Sequence, residues 1–441
     1  MIRDGAISSR ELLAAFENRY ERLNPIINAV ATADFESAHA AAAAADNCRA
    51  SSRAPLGVLH GLPVTIKDAL AVAGMRSTSG APELGDYVPA NDAAAVSALR
   101  RAGAIIFAKT NTPAWAGDIQ THNTLFGTTN NPWNTGRTAG GSSGGSAAAV
   151  SAGLTALDIG TDLGGSIRIP SGFCGIFGLK PTFGAVAQDG YLDCSERRSG
   201  YAVEVDMNSV GPLARSASDL HLVMTVLATT FAKLSPVQVE SVRIGVCVDD
   251  AYCQVADGVA STILAAARSL DSNRIAVQEC SLPVSMADVG RLCNALTLSA
   301  VSASVPYPVG SRIGGTHRDW LQNNDERSRL RTTWSHWFTS FDALVCPIMS
   351  GVAFSHSVDT SLGELTLMVD DHEIPATRGL AWCQLASLSY LPSVAVPVGL
   401  LDGMPVGAQI ICPYGGDSMC LWIARKFEEA GFVFINPPVD V

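Results

Sequence analysis

The sequence predicts an α/β fold with a large, mostly parallel sheet covered by helices on both faces. Three observations predict it. Helical patterns alternate with short β-branched runs along the whole length. Hydrophobic residues make up 47% of the 441 and charged residues only 16%, which supplies a large core and argues against disorder. No internal repeat, charge block or convincing linker divides the chain, so one domain spanning 1–441 is expected.

The elements follow in order. Residues 9–23 form an amphipathic helix with Ser8 or Ser9 available as its N-cap. Residues 34–46 are an alanine-rich helix, and 62–66 read as a strand. A helix at 92–102 leads to a strand at 104–108. Beyond a glycine-rich loop come a helix at 146–152 and a strand at 155–159. Helices are expected at 216–228 and 259–270, with strands at 242–248 and 274–280. The end repeats the theme, with strands at 343–346, 393–398 and 406–412 and a helix at 417–430. Polar segment 188–207 reads as a long surface loop near a site, and 313–334 as loop residues that help line it.

The charge balance narrows the partners. Net charge is −11, so nucleic acid and anionic membrane are disfavoured. The 11 cysteines are irregularly spaced and no C-x-x-C occurs. Buried free thiols in a reducing compartment, the cytoplasm, fit better than a disulfide framework or a zinc site. The first residues carry no apolar signal-peptide core. Residues 379–401 hold no charge, but Pro392 and Pro397 break a spanning helix. A buried helix followed by a buried strand is expected there.

The informative stretch is 136–184. Two glycine-serine clusters, GGSSGGS at 140–146 and GTDLGGS at 160–166, flank the strand at 155–159. Acyl transfer needs a nucleophilic oxygen, a base, and N–H donors aimed at a developing oxyanion. Glycines bring backbone N–H groups close to a substrate because no Cβ intervenes. The run Leu163, Gly164, Gly165, Ser166 presents consecutive N–H groups and a hydroxyl. No histidine lies in either cluster. Lys67 ends an apolar strand-like run, and burial lowers a lysine pKa toward that of a base. On local sequence alone, an ion pair with a neighbouring carboxylate is the more ordinary role for it.

These residues resemble the amidase signature family, the Ser–cis-Ser–Lys amidohydrolases. The motifs that carry the resemblance are HGLPVTIKD (60–68), GGSSGGSAAAV (140–150) and GTDLGGSIRIPSGFCGIFGLKPTFG (160–184). Flanking matches are TNTPAW (110–115), FGTTNNPWN (126–134), SVGPLARSASDL (209–220), DALVCP (342–347) and LPSVAVPVGLLDGMPVGAQI (391–410). The resemblance covers almost the whole chain, with a signature core at about 56–185. It implies the amidase signature fold, a large mixed twisted β-sheet with helices on both faces.

Carried over position by position, the resemblance makes Ser166 the acyl-forming nucleophile. Ser142 becomes the bridging serine in a cis peptide, and Lys67 the base. The two serines lie 24 residues apart, the spacing typical of the family. Backbone N–H groups of Leu163, Gly164, Gly165 and Ser166 become the oxyanion hole. Asp162 and Arg168 become a charged pair bracing that loop, with Thr161 and Ser143 as supporting hydrogen-bonding residues. The implied activity is hydrolysis of a small-molecule amide or carbamate, with no metal or organic cofactor, no nucleic acid and no membrane. A homodimer is among the arrangements the resemblance allows. It also implies that the family's first helical region begins upstream of Met1.

The sequence departs from the family pattern at three positions. Ala114 stands where many members have Glu, and Ser387 and Tyr390 stand where Asn and Gly are usual. All three are expected near the acyl pocket, which leaves the substrate open.

Three other readings compete. GGSSGG also matches the G-x-S-x-G elbow of α/β-hydrolase esterases, with Ser143 as nucleophile and His317, His336, His356 or His372 as base. The second is a protein like the glutamine amidotransferase subunit that feeds ammonia to a tRNA-dependent partner in a complex. The stretch Gly184–Gln188 lacks the basic residue expected of that subgroup. A non-catalytic scaffold is the third, disfavoured because all three catalytic positions are filled.

Overall fold

The structure is a computed structural model that describes residues 2, 4–51, 56–192, 204–229, 234–237, 239–302 and 314–440. Eleven strands form one sheet among the described residues. In chain order they are β1 (Val30–Ala33), β2 (Pro63–Lys67), β3 (Ile105–Thr110), β4 (Leu157–Asp162), β5 (Phe177–Lys180), β6 (Ser209–Ala214), β7 (Val242–Val246), β8 (Ile275–Glu279), β9 (Ala343–Pro347), β10 (Ser393–Leu401) and β11 (Met404–Ile411). Their order across the sheet is β1-β3-β2-β4-β6-β5-β10-β11-β9-β7-β8.

The expected elements are present, with ends shifted by a few residues. Helix Ser9–Ile27 starts from a capping box in which the Ser8 side chain accepts from Glu11 N–H. Helices Phe35–Ser51, Ala94–Arg101, Gly144–Ser151, Ala217–Leu227, Asp257–Arg268 and Asp417–Glu429 follow the predicted places. The uncharged stretch near the C-terminus is helix Ala381–Leu388 followed by β10, both mostly buried. No described helix is long and apolar enough to cross a membrane.

The mostly parallel sheet is corrected to a mixed one. Six of its ten pairings are antiparallel and four parallel. Alternation of helix and strand cannot register a tight hairpin such as β10–β11, where Leu401 pairs with Met404. It also passes over β6, which pairs antiparallel with both β4 and β5.

The loop expected at 313–334 is corrected as well. Thr316 caps a helix, His317–Trp337, through a capping box with Asp319. Residue 313 lies outside the described residues, as do 193–203 of the loop expected at 188–207.

Helices cover both faces. Strand side chains alternate in direction, so neighbours along a strand enter different cores. Ala343 and Val345 of β9 join a core with helices Asp257–Arg268 and Asp417–Glu429. Leu344 and Cys346 join another with Met286–Ser302 and Ala381–Leu388. In β3, Ile106 and Phe107 divide in the same way.

This arrangement sets the site. β2 and β4 run parallel with Thr65 opposite Asp158 and Ile66 opposite Ile159. Their carboxyl ends therefore lie side by side, which places Lys67 beside Thr161 and Asp162. Crevices outside the carboxyl ends of strands are where α/β sheets bind ligands.

Candidate active site

The two glycine-serine clusters meet beyond these strand ends. The first loop leads into helix Gly144–Ser151, and Gly141–Ser142 is a cis peptide. Gly140 has φ +84°, and a Cβ there would lie 2.8 Å from Pro170 Cα. A Cβ at Gly141 would lie 2.6 Å from the Asp118 carbonyl oxygen. Only glycine fits this close backbone approach. The second loop follows β4 and ends in helix Arg168–Cys174. Ser143 N–H donates to the Ser166 carbonyl at 3.0 Å, which fastens one loop to the other.

Lys67 is fully buried. Its Nζ donates to Ser142 Oγ at 2.6 Å and to Thr161 Oγ1 at 2.8 Å. Burial lowers its pKa to about 7, against the opposing pull of the Asp162 and Asp158 carboxylates. Asp158 accepts from Thr65 Oγ1 and from Thr110 Oγ1, the latter at 3.0 Å. Burial raises the Asp158 carboxyl to about 6, and those hydroxyls only partly offset it. The sequence reading missed Asp158. Its only signal was an acid inside an apolar strand pattern.

Asp162 and Arg168 form a fully buried ion pair at 2.9 Å. Burial alone would raise the Asp162 carboxyl, but the Arg168 guanidinium outweighs it and holds the pKa at about 2. Asp162 also accepts backbone N–H bonds from Gly165 at 2.8 Å and Ile167 at 3.1 Å. Arg168 in turn donates to Gln409 Oε1 and the Cys383 carbonyl at 2.8 Å, and to Ser387 Oγ at 2.9 Å. The second loop is thus anchored to β11 and to helix Ala381–Leu388. Removing one partner of such a pair strands a buried charge. Asp162→Ala is expected to lose about 3–5 kcal/mol of stability, read as a lower midpoint in denaturant unfolding.

A cavity of about 550 Å³ opens over this framework. Ser142, Thr161, Leu163, Gly164 and Ser166 line it. A Cβ on Gly164 would meet nothing within 4 Å, so its backbone faces open space. Gly165 does not line the cavity. Its N–H is committed to Asp162, so an oxyanion would have to share it. Ser143 is buried, with its hydroxyl donating to the Thr161 carbonyl at 3.2 Å. Among the described residues lining the cavity there is no histidine.

The positions that depart from the family pattern lie elsewhere. Ala114, Ser387 and Tyr390 do not line the cavity. Ser387 supports Arg168. Tyr390 has φ +64°, the left-handed region that favours glycine. Its ring stacks on Phe183 at 4.5 Å and lies under the Arg327 guanidinium. Helix Met286–Ser302 contributes wall residues that the sequence reading missed, among them Arg291, Asn294 and Thr297. Their one signal was polar residues at helical spacing in an apolar pattern. Of the two segments expected to line the site, 188–207 contributes Tyr191, and no described residue of 314–334 takes part.

The family model described as Amidase matches residues 11–309 and 311–421. The chain belongs to the amidase family. It is an amide-hydrolysing enzyme of the amidase signature fold. Curated relatives of this amidase include a glutamyl-tRNA(Gln) amidotransferase subunit from Symbiobacterium thermophilum. The two are 30% identical over 96% of this chain and 94% of the relative. The protein of the same name from a Synechococcus species is 29% identical over 99% of this chain and 96% of its own length. Among solved structures, one described as an amidase is 30% identical with a TM-score of 0.83, covering 97% of this chain and 98% of the other. A 6-aminohexanoate cyclic dimer hydrolase bound to its substrate is 26% identical with a TM-score of 0.83, covering 99% and 97%.

Proposed function

We propose that this amidase works through a Ser166 acyl-enzyme, with Ser142 as proton relay and Lys67 as base. The observation that carries the reading is the 2.6 Å contact of buried Lys67 with Ser142, which shares the cavity wall with Ser166. Thr161 Oγ1 accepts one Lys67 N–H, which leaves the lone pair of the neutral amine for Ser142. Ser166 Oγ attacks the carbonyl carbon. Its proton passes to Ser142, and the Ser142 proton passes to Lys67.

The carbonyl oxygen becomes an oxyanion facing the N–H groups of Leu163, Gly164 and Ser166, with Gly165 as a shared donor. Asp162 and Arg168 hold that loop in place, and Ser143 and Thr161 support it. The C–N bond then breaks as Lys67 returns the proton through Ser142 to the leaving nitrogen. Water repeats the cycle on the ester and frees Ser166. We read the substrate as a small-molecule amide, with carbamates included because they present the same carbonyl.

A panel of amides, esters and carbamates, assayed with Ser166→Ala as blank, tests this. Turnover in the blank equal to that of the native enzyme would sink the reading. Ser143→Ala separates it from the elbow alternative. Measurable turnover is expected to remain in that variant, whereas a Ser143 nucleophile demands complete loss. The buried Ser143 hydroxyl and the absence of a lining histidine among the described residues support the first outcome.

The relatives' name supports a second reading, an amidotransferase component that works in a complex. Glutamine hydrolysis that appears only on adding a partner would favour it. Hydrolysis by the chain alone favours the free-standing amidase. We also read the chain as one domain, because one sheet runs from β1 to β11 through both halves of the sequence. Among the described residues ten cysteines are free of disulfides, which supports a reducing, cytoplasmic setting.

A further inference from the structure

We propose that the cavity selects amides that carry a positively charged amine, and that Asp118 is the residue that binds it. The proposal rests on the catalytic reading of Lys67, Ser142 and Ser166. Among the described residues that line the cavity, two bear formally charged side chains, Asp118 and Arg291. They are not equivalent. The Arg291 guanidinium is held by Glu326 at 2.7 Å and Asp288 at 3.3 Å, so its charge is already answered. Asp118 has no basic side chain at ion-pair distance among the described residues. Its Oδ1 accepts the Gln120 backbone N–H at 3.1 Å. Among the described lining residues, Asp118 is thus a carboxylate with no ion-pair partner.

The electrostatics agree with the geometry. Burial raises the Asp118 carboxyl above its ordinary range, and the N–H groups of Gln120 and Ile119 and nearby His122 offset this only in part. The His122 ring is itself engaged with Thr128 Oγ1 at 2.8 Å. A carboxylate partly removed from water and lacking a cation gains from binding one.

Asp118 is also fixed relative to the reacting groups. Its carbonyl packs against Gly141, next to Ser142. Three residues on, the Thr121 hydroxyl donates to the Gly140 carbonyl at 2.9 Å and accepts Gly144 N–H at 3.1 Å. The segment bearing Asp118 is thereby joined to the first catalytic loop. Trp115 and Tyr191 line the same cavity, and aromatic faces favour ammonium groups. A substrate with its carbonyl at Ser166 and an ammonium at Asp118 satisfies both ends.

The test uses the purified full chain with ω-amino amides and their des-amino counterparts of matched length. The native enzyme is expected to favour the ammonium amides by about ten- to a hundredfold in kcat/KM, mainly through KM. Asp118→Asn should bring that ratio close to one, and Asp118→Glu should keep part of it. A second measurement needs no turnover. An alkylammonium ion should raise the Tm of the native protein more than the matching alcohol does, and Asp118→Asn should remove the difference. No preference and no ammonium-specific stabilisation would overturn the proposal. If no amide is cleaved while the alkylammonium effect persists and depends on Asp118, the catalytic reading falls and the cation site stands.

Discussion

Ser166→Ala is expected to lower kcat for amide hydrolysis by about 10⁴- to 10⁶-fold, the loss seen when a nucleophile is removed from a unit that acts together. The change deletes one oxygen at the cavity wall and leaves the loop anchors in place. Those anchors are the Ser143 N–H bond to the Ser166 carbonyl and the Asp162–Arg168 pair, neither of which uses the Ser166 side chain. Unfolding midpoints of variant and parent should therefore agree within about 1 kcal/mol. Steady-state kinetics together with denaturant unfolding check both halves. Retained turnover would move the nucleophile elsewhere, and a collapse of stability would show the hydroxyl to be structural.

The second large effect is at Lys67. Its amine must be neutral to accept a proton, and its pKa is about 7. Activity should rise about tenfold per pH unit below 7 and level off above it. Lys67→Arg keeps a permanent charge and should be inactive at every pH. Lys67→Met should be equally inactive but more stable than the parent. The unfolded chain holds a lysine proton up to pH 10.5, whereas the folded chain gives it up near 7. Between those values the unfolded state binds more protons, so the Lys67 contribution to stability rises with pH across that window. At neutral pH the buried amine costs about 5 kcal/mol. Lys67→Met removes that cost and loses the bonds to Ser142 and Thr161. A net gain of about 1–3 kcal/mol is expected, read as a higher Tm. A pH profile flat from 6 to 8, or a large loss of stability in the Met variant, would contradict this assignment.

Sequence periodicity revealed most of the helices and strands because their apolar spacing is local. It did not reveal β1, β5 and β6. β1 is only four mostly small residues, Val-Ala-Thr-Ala. β5 is interrupted by Gly178, and β6 carries Gly211 and Pro212, residues that argue against a central strand. Strand directions were illegible too, since they depend on pairings between distant segments such as β6 with β4 and β5.

At the site, the serines stand out from their glycine context, whereas Lys67 is singled out only by the family resemblance and not by its local sequence. A lysine ending an apolar strand looks like an ion-pair partner. The ion pair exists nearby: Asp68, the adjoining residue, pairs with Lys109 at 3.1 Å, and among the described residues no carboxylate contacts Lys67. Burial lowers its pKa, and the acids that pull against it, Asp158 and Asp162, lie on a strand far along the chain. The cavity wall was the least legible, because Arg291, Asn294 and Thr297 come from a helix with no motif of its own.

In the proposed mechanism Ser166 carries the acyl group. Mass spectrometry of enzyme quenched during turnover of an activated ester or amide measures this directly. An adduct of acyl mass is expected on the peptide containing Ser166, absent from Ser166→Ala and present in Ser143→Ala. The same adduct on Ser143, or turnover that never yields an adduct on Ser166, would contradict it.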